Sequence, residues 1–125
     1  MKALLCLLFS SVTLISAAQQ APIKYHNISS REAARLMQSS HVIVLDVRTP
    51  EEYAAGHLPK ARLINFYDKD FAEQLEKLDK SKTYIVYCKA GGRSSKASQL
   101  MIEKGFTSVY NLEHGFDKWD GAIER

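Results

Sequence analysis

Cysteine is scarce in this chain of 125 residues, which holds two, Cys6 and Cys88. Cys6 lies in an apolar N-terminal run that we expect to be removed, and its removal would leave Cys88 alone and exclude an intramolecular disulfide. A single thiol in an exported protein is reactive or pairs with another chain. A buried, inert cysteine is the alternative, but the neighbouring Lys89 and residues 91–93 make burial in an apolar core unfavourable.

Long hydrophobic runs are also missing, apart from residues 3–15. That run falls short of the roughly 20 residues that a membrane-spanning helix needs, so a membrane anchor is the weaker interpretation. The positive Lys2 precedes the run and the small residues 16–18 follow it, which is the layout of a secretory signal peptide. We therefore expect cleavage after Ala18, a domain over residues 19–125, a secreted and periplasmic location, and no membrane contact afterwards.

Charge of one sign does not accumulate anywhere in the chain. The sequence has 17 Lys and Arg against 14 Asp and Glu, a net charge of +3, and the two signs are interspersed. Without a basic run a nucleic-acid partner has no support. Repeats, low-complexity linkers and a second-domain boundary are absent as well, so we expect one domain and, by default, a monomer.

Short apolar runs alternate with amphipathic segments through the rest of the chain. The run at 42–45 lacks polar alternation, which is typical of a strand covered on both faces of a parallel sheet. Ser29 and Thr49 are each followed three residues later by glutamate, a pattern that predicts a helix start. We therefore predict an α/β sandwich with a mostly parallel sheet. The predicted strands cover 23–28, 42–45, 61–66, 83–87 and 108–111, and further helices cover 68–78, 94–104 and 115–119.

The segment around Cys88 reads as strand, tight loop and helix. Cys88 ends the apolar strand, two glycines follow, and Arg93 precedes the helix. The carboxyl end of a buried strand is where open α/β sheets place ligand sites. Inward-pointing amides of residues 89–94, the helix dipole and the Arg93 charge should lower the thiol pKa. Gly91 and Gly92 suit a backbone with positive φ.

The size of this loop limits what it can hold. Four residues separate Cys88 from Arg93, whereas the similar loop of cysteine phosphatases has five and fits a tetrahedral oxyanion. A tighter ring of amides suits a smaller guest, such as the terminal sulfur of a persulfide. A phosphatase or an arsenate reductase is therefore the less favoured alternative.

Residues 88–94 resemble the active-site loop of single-domain rhodaneses, the thiosulfate sulfurtransferases. Residues 46–59 are similar to a first signature of that family, and residues 112–119 resemble its C-terminal element. Lys60 and His114 depart from the pattern, since glycine is usual at both positions. The resemblance implies a rhodanese-like three-layer sandwich, with helices on both faces of a five-stranded, mostly parallel sheet.

The resemblance also implies a double displacement without a metal or organic cofactor. The Cys88 thiolate would take the sulfane sulfur of thiosulfate, release sulfite, and pass the sulfur to cyanide or a thiol. From their own position, Asp46 and Arg48 lie at the end of the neighbouring strand and could reach the site as supporting residues, and structural ion pairing is the role expected of each. A persulfide carrier with low turnover is the alternative from a binding class. The implied substrate-binding residues are Lys89, Ala90, Gly91, Gly92, Arg93 and Ser94.

Three roles stay open from the sequence. Arg93 either contacts the donor anion or braces the loop by pairing with a carboxylate such as Asp46. Lys89 either attracts the donor or is a solvated charge. His57 is expected to be a hydrogen-bonded packing residue, because thiosulfate cleavage needs no base there.

Overall fold

A parallel sheet forms the centre of the computed structural model, which describes residues 2–3, 10–13 and 21–125. Within residues 21–125 five strands follow the order β1-β5-β4-β2-β3, and every pair is parallel. The predicted sheet is confirmed, and it is parallel throughout. The strands are β1 (His26–Ile28), β2 (Val42–Asp46), β3 (Arg62–Leu63), β4 (Thr83–Tyr87) and β5 (Ser108–Leu112).

The first 18 residues, predicted to be a signal peptide, fall mostly outside the described residues, and so does the cleavage position after Ala18. In the part of the chain that the structure describes, no helix has the length and apolar character needed to cross a bilayer.

Helices cover both faces of the sheet and produce three layers. On one face β4 packs through Tyr84 and Val86 against Phe71, Ala97 and other apolar residues. On the other face its Ile85 and Tyr87 pack against a second apolar cluster. Burial on both sides explains why the strand sequences do not alternate. The helices are α1 (Ser30–Leu36), α2 (Pro50–Ala55), α3 (Phe71–Glu76), α4 (Gly92–Glu103) and a 3-10 turn, Phe116–Lys118.

Local sequence signals account for the helix starts. Ser29 Oγ accepts a hydrogen bond from the Glu32 amide at 3.2 Å, which starts α1. Thr49 and Glu52 form a reciprocal capping box at α2, with Pro50 in the first turn, and such caps stabilise a helix by roughly 1 kcal/mol. Element boundaries differ from prediction by a few residues, since α3 is shorter and α4 begins two residues earlier.

Strand β3 also differs from prediction, with two residues instead of six, and three of the four missing residues are at its carboxyl end. A turn precedes it, in which the Ala61 amide donates to the Leu58 carbonyl at 3.1 Å. Pro59 and the left-handed Lys60, with φ of 59°, occupy the second and third positions of this turn, the arrangement of a type II turn. Lysine therefore stands in a conformation that favours glycine, and the turn moves the start of the strand from residue 61 to residue 62.

Replacing Lys60 by glycine should stabilise the protein. A left-handed conformation costs a non-glycine residue roughly 1–2 kcal/mol, and the extra freedom of glycine in the unfolded chain returns about 0.4–1 kcal/mol of that. We expect Lys60→Gly to raise the thermal midpoint by roughly 2–6 °C in calorimetry. Lys69→Gly is the control, because Lys69 is exposed and has no positive φ, and it should lower the midpoint. A lower midpoint for Lys60→Gly would contradict the strain.

Candidate active site

The Cys88 sulfur lies inside a ring of hydrogen-bond donors at the carboxyl end of β4. The amides of Gly91 and Ser94 donate to Cys88 Sγ at 3.2 and 3.4 Å, and Ser94 Oγ lies 3.3 Å from it. Of the inward-pointing amides predicted over residues 89–94, these two point at the sulfur. Donors that converge on one sulfur favour its charged, thiolate form.

Cys88 itself is only 2% exposed, which corrects the expectation that its polar neighbours would keep it out of the core. The reason is that Lys89 and Ala90 point outward while the loop backbone closes over the sulfur. Burial, the largest single influence, raises the pKa of Cys88, but the hydroxyl and amide of Ser94 and the amides of Gly91 and Ala90 together lower it. The net effect is a pKa below the usual value.

The lowered pKa predicts early alkylation of Cys88 as pH rises. Because the thiolate is the reacting species, a lower pKa places the half-maximal iodoacetamide rate below the pH of about 8.5 that is typical of a free cysteine. Mass spectrometry of the modified fraction at a series of pH values measures this midpoint. Ser94→Ala removes the hydroxyl contact and should move the midpoint upward. A wild-type midpoint at or above that of free cysteine would refute the argument.

Of the two loop glycines only Gly91 needs to be glycine. Its φ is 107°, and a Cβ there would run into the carbonyl oxygen of Glu113. Gly92 has no positive φ, begins α4, and faces open space. The prediction of positive φ was therefore right for Gly91 and wrong for Gly92. Gly92 is the first residue of α4, and a residue of a right-handed helix has a negative φ.

The C-terminal segment holds the loop from outside, a role that sequence reasoning missed. The amides of Phe116 and Asp117 donate to the carbonyls of Cys88 and Lys89 at 2.8 and 2.9 Å. Gly115 makes this approach possible, because a Cβ there would lie 2.5 Å from the Lys89 carbonyl oxygen. A glycine often marks a place where two backbones approach closely. Gly115 in the sequence could therefore have indicated this contact.

Arg93 braces the loop, and its partner is Glu52 rather than Asp46. The guanidinium donates to both carboxylate oxygens of Glu52 at 2.8 and 3.1 Å and lies over the ring of Tyr67 at 5.5 Å. Hydrogen bonding to Arg93 is the main cause that lowers the pKa of Glu52 to about 2, against partial burial. The Arg93 charge is therefore compensated across the site, between the first signature and the cysteine loop.

Asp46 is already occupied by Arg48 in a fully buried network. Arg48 Nε and Nη2 donate to the Asp46 carboxylate at 3.0 and 2.7 Å, and the hydroxyl of Tyr87 donates to it at 2.6 Å. Arg48 also donates to the carbonyl of Gly56 at 2.7 Å. Desolvation, the largest single influence, lowers the pKa of Arg48, but the hydrogen bonds and charge of Asp46 and the contribution of Tyr87 together raise it. This network fixes the loop after β2 beside β4.

The remaining candidates lie at the edge of the site. Lys89 pairs with Asp117 at 2.7 Å, and its side chain is 62% exposed. Of the two roles left open for Lys89, this agrees with a solvated charge. His57 Nδ1 hydrogen-bonds the carbonyl of Tyr53 at 3.0 Å, and the two rings stack with centroids 3.8 Å apart. His57 is therefore a packing residue, as predicted.

Comparison with known proteins agrees with this geometry. Residues 29–122 match the model of the rhodanese-like domain. The chain belongs to this family. It is 35% identical over 95 residues to the thiosulfate sulfurtransferase GlpE of Coxiella burnetii, covering 76% of this chain and 87% of that protein. It is 28% identical over 98 residues to GlpE of Pseudoalteromonas translucida, covering 78% and 91%.

A solved structure carries the same fold. The rhodanese-like domain protein from Staphylococcus aureus superposes with a TM-score of 0.69 at 32% identity, covering 79% of this chain and 96% of that one. The predicted family and the α/β architecture are thereby confirmed. This rhodanese-like chain is therefore a member of a sulfurtransferase family.

Proposed function

We propose that this rhodanese-like protein is a thiosulfate sulfurtransferase that carries sulfur as a persulfide on Cys88. One observation carries the proposal: two main-chain amides donate to Cys88 Sγ, and the Ser94 hydroxyl lies in hydrogen-bond contact with it, all within 3.4 Å. The relatives named thiosulfate sulfurtransferase support the choice of donor. The ring is small enough to solvate one anionic sulfur atom.

The reaction has two displacements that balance at Cys88. In the first, the thiolate attacks the sulfane sulfur of thiosulfate, a sulfur–sulfur bond forms to Cys88, and sulfite leaves with the electron pair of the broken bond. In the second, cyanide or a thiolate attacks the outer sulfur and Cys88 leaves as thiolate. A covalent intermediate of this kind divides one difficult transfer into two easier ones. The amides of Gly91 and Ser94 would hold the charge in each step.

Intact-mass spectrometry tests this proposal directly. Thiosulfate should add about 32 Da, one sulfur atom, to the reduced protein, and cyanide should then remove it as thiocyanate, because the intermediate is covalent. Initial rates at varied thiosulfate and cyanide should give the parallel double-reciprocal lines of ping-pong kinetics. Thiocyanate formation without any sulfur adduct would contradict the persulfide.

A persulfide carrier is the second candidate, and the Arg93–Glu52 pair favours it. Because Glu52 already compensates Arg93, the loop offers less attraction to a doubly charged donor. A stable adduct that is not discharged in repeated cycles would identify the carrier. The substitution Glu52→Gln would free the Arg93 guanidinium. It should then lower the KM for thiosulfate and raise the rate at low thiosulfate concentration.

We also propose that the protein is exported and processed after Ala18. The support is the charged start, apolar run and small residues of positions 1–18, which is the layout of a signal peptide. Expression of the full chain in a bacterium, followed by osmotic release and intact-mass measurement, should give a species that begins at Gln19. A full-length protein retained in the cytoplasm would refute this.

A further inference from the structure

A groove that encloses about 410 Å³ lies at the amino-terminal end of β2, away from the cysteine. Its floor is residues 42–44 of that strand. One wall is residues 37–40, which precede the strand, and the other is the turn at Lys60 together with Arg62. Since β2 and β4 are parallel and Cys88 follows the carboxyl end of β4, the groove is separate from the site described above.

The floor of the groove is an open strand edge. β3 pairs with β2 only at Leu45 and Asp46. Continued backwards, that register would place Lys60 beside Ile43, but the left-handed turn at Lys60 diverts the chain first. Residues 42–44 therefore have β4 on one side and, within residues 21–125, no strand on the other. The Val42 amide already donates to the Ser39 carbonyl at 3.3 Å, and an edge of this kind offers its remaining backbone N–H and C=O groups to an added strand.

One wall of the groove is positive. Lys60 and Arg62 are both exposed, and among the described residues neither forms an ion pair. None of the ten residues that line the groove is acidic. The nearby carboxylate of Glu124 accepts a hydrogen bond from the Lys60 amide at 3.3 Å and does not line the groove. Two uncompensated cations beside a neutral floor favour an acidic occupant.

We propose that this groove binds an extended, acidic peptide segment of a partner protein. The segment adds a strand beside residues 42–44, and its carboxylates lie against Lys60 and Arg62. Three strand residues span roughly 10 Å, so four to six residues of partner suffice. The strained turn at Lys60 then has two effects, because it keeps the strand edge open and it places a cation at the wall.

Fluorescence anisotropy with short labelled peptides tests the proposal on the purified protein. The probes are Glu-Val-Glu-Val-Glu-Val, its Lys-Val counterpart, and a version with proline at every second position, which lacks the amide donors a strand needs. We expect the acidic strand peptide to bind at least about tenfold more tightly than either of the others. Its affinity should fall as salt is raised.

Variants assign the binding to the groove. The double variant Lys60→Gly with Arg62→Ser keeps the turn and removes both cations, so it should weaken the acidic peptide at least about tenfold. Lys96→Ser is the matched control, since Lys96 is exposed on α4, and it should leave binding unchanged. Amide hydrogen exchange at residues 42–44 should slow when the peptide binds.

Five results would overturn the proposal. Equal binding of the acidic and basic peptides, or unchanged binding in the double variant, would remove the role of the two cations. Protection at residues 89–94 instead of 42–44 would place the peptide at the cysteine loop. Competition by free glutamate at the same concentration would reveal a small-anion site. A dimer in sedimentation that the double variant loses would assign the edge to a second copy of the chain.

Discussion

Cys88→Ser should reduce thiocyanate formation from thiosulfate and cyanide to the uncatalysed level, a loss of at least about 10³-fold. A serine hydroxyl has no accessible anion at neutral pH, and its oxygen cannot reproduce the persulfide on which both displacements depend. The fold should be unaffected, because a serine oxygen can accept hydrogen bonds from the same amides that donate to the Cys88 sulfur. The measurement is the initial thiocyanate rate, with circular dichroism to show that the variant is folded.

Two serines on α4 give matched controls for this loss. Ser94→Ala keeps Cys88 but removes the hydroxyl that lies 3.3 Å from the sulfur, so activity should fall by an intermediate factor and recover as pH is raised. Ser95 bonds instead to the hydroxyl of Tyr25 at 2.7 Å, and Ser95→Ala should retain nearly full activity. Equal rates for Cys88→Ser and wild type would disprove the proposed function.

Asp46→Asn should destabilise the protein by about 3–5 kcal/mol, the usual cost of leaving one member of a buried ion pair without its partner. Asp46 is fully buried, and its carboxylate accepts bonds from the Arg48 guanidinium and the Tyr87 hydroxyl. The side-chain NH2 group of asparagine would face the N–H of Arg48 or the O–H of Tyr87, which are donors themselves. The charge of Arg48 would be left uncompensated. Urea denaturation followed by circular dichroism measures the free energy of unfolding.

The exposed pair of Asp117 and Lys89 provides the matched control. Its ion-pair distance of 2.7 Å equals that of Asp46 and Arg48, but it is exposed and lacks the second guanidinium contact and the Tyr87 bond of the buried pair. Exposed pairs contribute about 0–1 kcal/mol, and Asp117→Asn should therefore change the free energy of unfolding by no more than that. Equal effects of the two substitutions would show that the buried network is not a structural brace.

The sequence was sufficient for the features that local patterns determine. The apolar run that ends at Cys88 predicted β4 at its observed bounds, Thr83–Tyr87, because a strand buried on both faces shows no polar alternation. Thr49, Pro50 and Glu52 predicted α2 because a capping box depends on neighbouring residues. The position of Cys88 at a strand end likewise follows from chain order alone.

The parts that the sequence did not predict depend on contacts between distant segments. The choice of Glu52 over Asp46 as the partner of Arg93 is made by the buried Arg48, which has already taken Asp46. The backbone bonds from residues 116 and 117 to the cysteine loop join segments almost 30 positions apart, and no periodicity encodes them. The burial of Cys88 follows from the direction of its neighbours' side chains, which composition does not reveal.

The pairing of β1 with β5 has a consequence for how the chain reaches its native state. Within residues 21–125, β1 pairs with β5 alone, and His26 lies opposite Tyr110. Assembly of the sheet therefore cannot finish until residues 108–112 have been synthesised, and closing so long a loop makes the step slow. A chain truncated after Gly105 would lack β5 and leave β1 without a partner strand. The unpaired strand edge would be prone to self-association.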